Sequence, residues 1–329
     1  MSAEAPSIEA MSSWLRSAAV LAADGAVLSW DNPAHPGYAY PEAAGLLLSL
    51  LSLDGERFRE PRERIAARLI QDVSPAGGVG RGSCDYVFDT AVALAALLAH
   101  ARAGAELPDP RLPGRLLGFL AETLGERRAL RGEGTGPAGH WSRSYSCHLL
   151  KVVIALGAYH DVNDDARCVS MGDTLFADLS PLCQGGRFTN HAGSGETYVH
   201  AHCYAVEGLI DLHRRGQRSA GPLAEAGAAW LAREQDPSGG LRAFHDGRRA
   251  HGPLRADATA QAVRIWASLD RRAHASSIAA ALTFLGRLQS PAGGLRYDTT
   301  TDDINTWATI FAVHALRLLR DEGGSRSLI

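Results

Sequence analysis

Three stretches of this chain carry polar side chains at one shared spacing. Ser144, His148 and Lys151, then His200, Tyr204 and Glu207, then Asp257, Gln261 and Arg264 each fall at i, i+4 and i+7. On a helix those positions share one face. The rest of each stretch is small and apolar, so it reads as a buried helix with a single polar stripe. Set side by side, the stripes would place imidazoles, carboxylates, a phenol and cations around one cavity, groups that exchange protons with a bound substrate. The deepest layer also has a use that needs no ligand: Glu207 can pair with Lys151 or Arg264, because unpaired buried charges are costly.

Further candidates gather where such stretches begin. Glu42, Asp89 and Asp257 are the candidate acids or bases, His200 and His202 the candidate proton carriers, and Tyr204 a candidate phenol partner. Tyr40, Trp141, His148, Glu196, Tyr198, Gln261, Asn305 and Trp307 are the candidate substrate contacts, the aromatic rings being suited to stack on a sugar. Capping explains part of this list, since Asp89, Ser144, Asp257 and Asn305 stand at or near helix starts and Pro41 in a first turn. His100, His160 and His213 fall at the opposite helix ends, where a cation complements the dipole, and read as structural.

No cofactor is expected. The rival is zinc, held by two of Cys84, Cys147 and Cys203 with His148, His200 or His202, although their spacing is no established zinc motif and small buried cysteines also serve packing. Five cysteines, an odd number with no CxxC pair, argue against a disulfide framework and read as reduced.

The elements that must position these residues form a repeat of roughly 50 residues, inside the range of helical arrays. Each unit opens with an amphipathic helix: Ile8–Ala22, Arg62–Gln71, Arg115–Gly125, Arg167–Asp178, Pro222–Arg233 and Ser276–Leu288. A glycine-marked turn follows, as at Gly77-Gly78, Gly185-Gly186, Gly239-Gly240 and Gly293-Gly294, with looser versions at Asp24-Gly25 and Gly132–Gly136. An apolar helix then starts at Tyr40-Pro41-Glu42, Phe88-Asp89-Thr90, Ser144-Tyr145-Ser146, His200-Ala201-His202, Asp257-Ala258-Thr259 and Asn305-Thr306-Trp307. Amphipathic helices outside and all-apolar helices inside predict an all-α fold, an (α/α)6 toroid of six inner and six outer helices over residues 1–320. The glycine- and serine-rich residues 321–329 read as a flexible tail.

Composition narrows the function classes. With 329 residues, 46% of them hydrophobic, the chain can bury a large core, and a formal charge of −3 without any basic block points away from nucleic acid. No run is apolar enough to span a bilayer and Met1–Leu21 is unlike a signal peptide, so the cytoplasm is the expected compartment.

Two resemblances follow from these motifs. Leu231–Leu241 (LAREQDPSGGL) and Leu285–Leu295 (LGRLQSPAGGL) resemble the glutamine-glycine repeat of terpenoid cyclases and protein prenyltransferases. That resemblance implies a toroid in which Gln235 and Gln289 tie outer helices to the turns that follow. The Asp-x-Asp-Asp-Thr-Ala signature of protonating cyclases is absent; Phe88-Asp89-Thr90-Ala91 and Thr301-Asp302-Asp303 are fragments of it. Over most of the chain, Tyr40–Gly45, Phe88-Asp89-Thr90, Tyr198–Leu209, Ala260-Gln261-Ala262 with Trp266, and Asn305–Ala308 resemble, in order and spacing, the inner-helix motifs of a bacterial toroid family associated with exopolysaccharide biosynthesis. That resemblance implies a glycan context and a fold similar to sugar epimerases, polysaccharide lyases and glycoside hydrolases.

The leading expectation is a carbohydrate-active enzyme of epimerase, lyase or hydrolase type, binding a sugar or oligosaccharide at the barrel mouth. The alternatives are an isoprenoid enzyme of the cyclase or prenyltransferase kind, and a non-catalytic binding protein of a biosynthetic cluster. A cavity walled by Lys151, Glu207 and Arg264 would count against the isoprenoid.

Overall fold

The computed structural model describes residues 4–82, 84–129, 144–320 and 328. Among the described residues twelve α-helices alternate between two rings. The outer ring holds α1 (Ile8–Trp14), α3 (Arg59–Gln71), α5 (Leu112–Ala129), α7 (Ala166–Leu179), α9 (Ala220–Arg233) and α11 (Ala275–Leu288). The inner ring holds α2 (Pro41–Ser52), α4 (Val87–Arg102), α6 (Val152–Asn163), α8 (Val199–Arg214), α10 (Ala256–Leu269) and α12 (Thr306–Arg320). Each inner helix packs on the next, and α12 packs back on α2, so the ring is closed. This is the (α/α)6 toroid expected of the repeat.

Burial follows the sequence pattern. In α7 the buried residues are Cys168, Gly172, Leu175 and Leu179, a single stripe, whereas in α10 every residue from Ala256 to Ser268 is buried. A helix apolar nearly all round has nowhere to go but inside. Close approach between inner helices needs missing side chains: a Cβ on Gly208 would lie 2.2 Å from the Leu150 carbonyl oxygen.

The glutamine ties are present and reach further than one turn. Gln235 Nε2 donates to the Gly239 carbonyl at 2.8 Å and to that of Ser277 in the next outer helix at 2.9 Å. Gln289 donates likewise to Gly293 at 2.8 Å and to Ser7 at 3.2 Å, while the Ser7 N–H donates to Gln289 Oε1 at 2.8 Å. The last turn is thereby tied to the entrance of α1. Gly239 takes φ 95° in its turn, and a side chain there would also run into the Ala280 carbonyl.

The outer helices α3 and α5 each start three residues before the expected Arg62 and Arg115, and α5 runs four residues past Gly125; two other elements differ more in kind. The first outer helix stops at Trp14 instead of running to Ala22, because the Ser17 hydroxyl donates to the Trp14 carbonyl at 2.8 Å and the chain turns. The third inner element begins as a 3-10 turn, Cys147–Lys151, and becomes α-helical only at Val152. Gly132–Gly136 and the tail proposed from 321 fall outside the described residues, apart from Leu328.

Short antiparallel strands crowd the end where inner helices begin. They are β2 (Val79–Arg81) with β3 (Cys84–Tyr86); β4 (Cys183–Gln184) with β5 (Arg187–Phe188); and β6 (Thr197–Tyr198), β7 (Leu241–His245) and β8 (Ala250–Arg255) in one sheet. A further sheet has the order β1 (Trp30–Asp31), β10 (Ile304–Asn305), β9 (Leu295–Arg296), joining the first unit to the last. Among the described residues no helix is long and apolar enough to cross a membrane.

Candidate functional site

The inner-helix starts are locked to the turns by a repeated device. The fourth residue of α4, α10 and α12 is threonine, and its Oγ1 accepts the N–H of Val79, Leu241 or Leu295 at 2.8 to 3.0 Å. The same hydroxyl donates to the carbonyl four residues back, at Tyr86, Arg255 or Asn305. In α8 that fourth residue is His202, and its Nδ1 accepts the N–H of Phe188 at 3.2 Å. His202 lies against Trp230 and Gly227 of α9, with ring centroids 4.6 Å apart in the Trp230 pair. Burial pushes its pKa down to about 3, so the imidazole is neutral. His202 therefore leaves the set of proton carriers: it holds a turn where its counterparts are threonines. His202→Ala is expected to cost about 1–3 kcal/mol by orphaning a buried N–H, with turnover per folded molecule unchanged. Chemical denaturation and an activity assay read the two effects separately, and a parallel loss of turnover would return His202 to the chemistry.

The remaining acids converge. Glu42 stands in the first turn of α2 and Asp89 in the first turn of α4, 8% and 4% exposed. The Tyr204 hydroxyl donates to Glu42 Oε1 at 2.6 Å. Asp89 has its pKa pushed well above the carboxylate range, first by burial and then by the Glu42 charge, with Arg81 opposing both. Among the described residues its Oδ2 has no hydrogen-bond partner. Burial also raises the Tyr204 phenol well above its ordinary value, with Glu42 adding to the shift, so Tyr204 is a neutral donor. Burial and the neighbouring Glu42 thus both favour the protonated form of Asp89. Arg81 of β2 lies over the Tyr40 ring at 4.1 Å and the Tyr38 ring at 5.3 Å. Trp307 meets Tyr40 edge-on at 4.8 Å, and both are half-buried.

Across the mouth, His200 Nδ1 lies 3.1 Å from Asp257 Oδ2. Arg255, at the end of β8, donates to both Asp257 oxygens, at 3.0 and 2.7 Å, and to the Tyr198 hydroxyl at 3.1 Å. It also lies 3.6 Å over the Tyr297 ring and donates to that phenol. Burial alone would raise the Asp257 pKa, but Arg255 and then His200 outweigh it and hold the carboxyl well below the usual range. Asp257 thus fixes the imidazole while Arg255 fixes Asp257. Tyr198 stacks on Phe244 at 5.3 Å, and burial raises its phenol to about 12. His200 in turn meets the Tyr204 ring at 4.4 Å, linking the two halves of the site.

Below them lies a charged floor. Lys151 Nζ is 2.7 Å from Glu207 Oε2 and Arg264 is 3.3 Å from Glu207 Oε1, all three buried. Burial pulls the Lys151 pKa down to about 8 against the raising effect of Glu207. Tyr204 sits 4.4 Å above Lys151, and Phe311 is 4.8 Å from Arg264. Gln261 is fully buried between the Asp257 and Arg264 levels of α10, and neither amide atom finds a partner among the described residues.

Other candidates are placed less centrally. His148 is buried, hydrogen-bonded to Ser146, and reaches the site through Phe88, whose ring is 5.4 Å from His148 and 4.7 Å from Tyr204. Asn305 accepts the Ala308 N–H at 2.9 Å, so it caps α12. Glu196 is exposed on the connection between β5 and β6 and does not join the buried set. Trp141 lies outside the described residues. His100, expected as a cation at the far end of α4, is instead pushed toward the neutral form by burial and then by the Arg62 charge.

For zinc, no group of three or more His, Cys, Asp or Glu among the described residues could hold a metal ion. Burial raises the Cys147 thiol to about 12 and that of Cys203 well above its ordinary value, away from the thiolate a metal needs.

Arg81, Arg255 and Tyr297 were not among the residues read from the sequence. Arg255 had one available signal, its place two residues before Asp257 at a helix start; Arg81 in the three-residue β2 and Tyr297 in the bend after β9 have no periodicity to read.

No family model matches the chain, and no curated protein matches it in sequence. Solved structures match it in fold. A sugar epimerase from a ruminal bacterium aligns with a TM-score of 0.70 at 9% identity, over 94% of this chain and 98% of that one. A D-mannose isomerase aligns at 0.69 and 10% identity, over 95% of each chain. A possible member of the GH105 family from Salmonella enterica serovar Paratyphi A aligns at 0.68 and 14% identity, over 95% of this chain and 93% of that one.

Proposed function

We propose that the protein is a carbohydrate-active enzyme that binds a sugar or oligosaccharide at the barrel mouth and moves protons on it. The observation that carries this reading is the pair of buried carboxyl groups at neighbouring inner-helix starts: Asp89, whose pKa burial and Glu42 push well above the carboxylate range, and Glu42, which accepts the Tyr204 hydroxyl. Asp89 is the proton donor. Glu42, hydrogen-bonded by Tyr204, and His200, oriented by Asp257, are the acceptors on the two sides of the substrate. Tyr40, Trp307 and Tyr198 offer ring faces and edges for sugar rings. Such a set serves epimerisation, elimination or hydrolysis alike, since each needs a proton delivered to a bound sugar and a proton taken from the sugar or, in hydrolysis, from the attacking water.

The fold shared with a sugar epimerase and a D-mannose isomerase supports the substrate class. A glycan-biosynthetic setting is the finer reading, resting on the order of the inner-helix motifs. An isoprenoid substrate is disfavoured by the floor of Lys151, Glu207 and Arg264 and by the charged groups above it. A purely binding role is disfavoured by the displaced titration of Asp89, which binding alone does not require.

The test is a thermal-shift and turnover screen of the purified protein against neutral and uronic oligosaccharides, nucleotide sugars and polyprenyl diphosphates. A saccharide should raise the melting temperature and be converted, with conversion lost in Glu42→Gln and His200→Ala. Stabilisation by a polyprenyl diphosphate alone, or saccharide turnover unchanged in both variants, would overturn the assignment.

A further inference from the structure

At the end of the barrel opposite the mouth, beneath the C-terminal ends of α2 and α12, lies a second cavity of about 620 Å³. Its charge is unbalanced: four arginines, Arg16, Arg57, Arg317 and Arg320, face two carboxylates, Glu9 and Asp54, an excess of two positive charges.

Half of this arginine content has a local explanation. Arg317 donates to the Leu50 carbonyl at the end of α2 and pairs with Asp54 at 2.6 Å, and Arg320 lies 3.5 Å from Glu9. Those contacts suit cations at helix C-termini. Arg16 and Arg57 are different: among the described residues neither forms an ion pair nor donates to a carbonyl. Both lie over the ring of Phe58, their guanidinium carbons 4.4 and 5.1 Å from its centroid. Stacking of that kind fixes the plane of a guanidinium and leaves its N–H edges unused. Arg16 is half-buried and Arg57 exposed; burial followed by the charge of Arg57 pushes the Arg16 pKa below the ordinary arginine value, against the raising effect of Asp54. Converging guanidiniums that repel one another around a cavity are stabilised by an anion that enters it.

We propose that this cavity binds a phosphate-bearing anion, held by the stacked guanidiniums of Arg16 and Arg57. Ile8, Leu53 and Leu318 supply an apolar wall beside them, so the site has room for a small organic group attached to the phosphate. The site is independent of the mouth and of the chemistry proposed there.

The experiment is isothermal titration of the purified protein with inorganic phosphate and with phenyl phosphate, which carries no sugar for the mouth to bind. The variants are Arg16→Met, Arg57→Gln and, as a control at the mouth, Arg81→Gln. Phosphate should bind the parent protein and the Arg81→Gln variant alike, and at least about tenfold more weakly to Arg16→Met and Arg57→Gln, a difference of about 1.4 kcal/mol. Without ligand, Arg16→Met should melt no lower than the parent, because the substitution keeps the stem over Phe58 and removes a repelling charge; a purely structural arginine would lower the melting temperature. Tighter binding of phenyl phosphate than of phosphate assigns the site to a phosphorylated small molecule, and equal binding assigns it to the free ion. Failure of both to bind the parent at millimolar concentration, or loss of binding in Arg81→Gln with none in Arg16→Met, overturns the proposal.

Discussion

Asp89→Asn is expected to lower turnover of a saccharide substrate by about a hundred- to ten-thousand-fold, the usual worth of a positioned general acid, and to leave the fold intact. Burial and the neighbouring Glu42 favour the protonated form of Asp89, which an isosteric amide mimics while removing the transferable proton. The same substitution carries a signature in pH. The native pKa of Asp89 lies above its unfolded value, so the native state binds more protons between the two. Stability from this group is then complete at acid pH and is lost as pH rises through the raised native pKa. Asn has no such loss. The melting temperature of Asp89→Asn relative to the parent should therefore climb with pH from the ordinary carboxylate range upward. A flat difference across that range would mean that Asp89 is ionised in the native protein and cannot be the acid.

Glu207→Gln is expected to destabilise the protein by about 3–5 kcal/mol, because breaking a buried pair leaves its partners' charge uncompensated. Here one carboxylate serves two cations, Lys151 and Arg264, and none of the three is reached by solvent to any useful extent. Neutralising one cation as well should recover part of the loss, so Glu207→Gln with Lys151→Met should be more stable than Glu207→Gln alone. Urea denaturation of the parent, the two single variants and the double variant measures this. Additive single effects would show that the floor is not a coupled unit.

How much of this was legible in the sequence differs by level. The two rings could be read because burial on one side and burial on all sides leave different residue patterns, as α7 and α10 illustrate. The floor could be read because i, i+7 spacing on neighbouring inner helices puts Glu207 and Arg264 at one height. The fine structure of the mouth could not. Strands two or three residues long and the bends beside them have no period, so the positions of Arg81 in β2 and of Tyr297 just after β9 follow only from tertiary pairing. His202 misled for a related reason. An imidazole beside His200 looks like a second proton carrier, and only its alignment with Thr90, Thr259 and Thr309 marks it as a turn lock. The early end of α1 turned on one serine hydroxyl, and the propensities of residues 15–22 do not announce it.

The tie between Ser7 and Gln289 spans 282 positions along the chain, and β1 pairs with β10 across a similar distance. During synthesis the first helix pair therefore emerges long before the partner that covers its free flank. Until then the apolar side of α2 that will meet α12 faces water. Each earlier interface can form with its neighbour as it appears, but this last one must wait for almost the whole chain and then close a very large loop. Nascent chains stalled before α12 should consequently be sticky, and the seam between first and last units is where a holding chaperone would act. Once that seam has formed, no terminal unit is left to peel away, and opening the structure means breaking two interfaces at once.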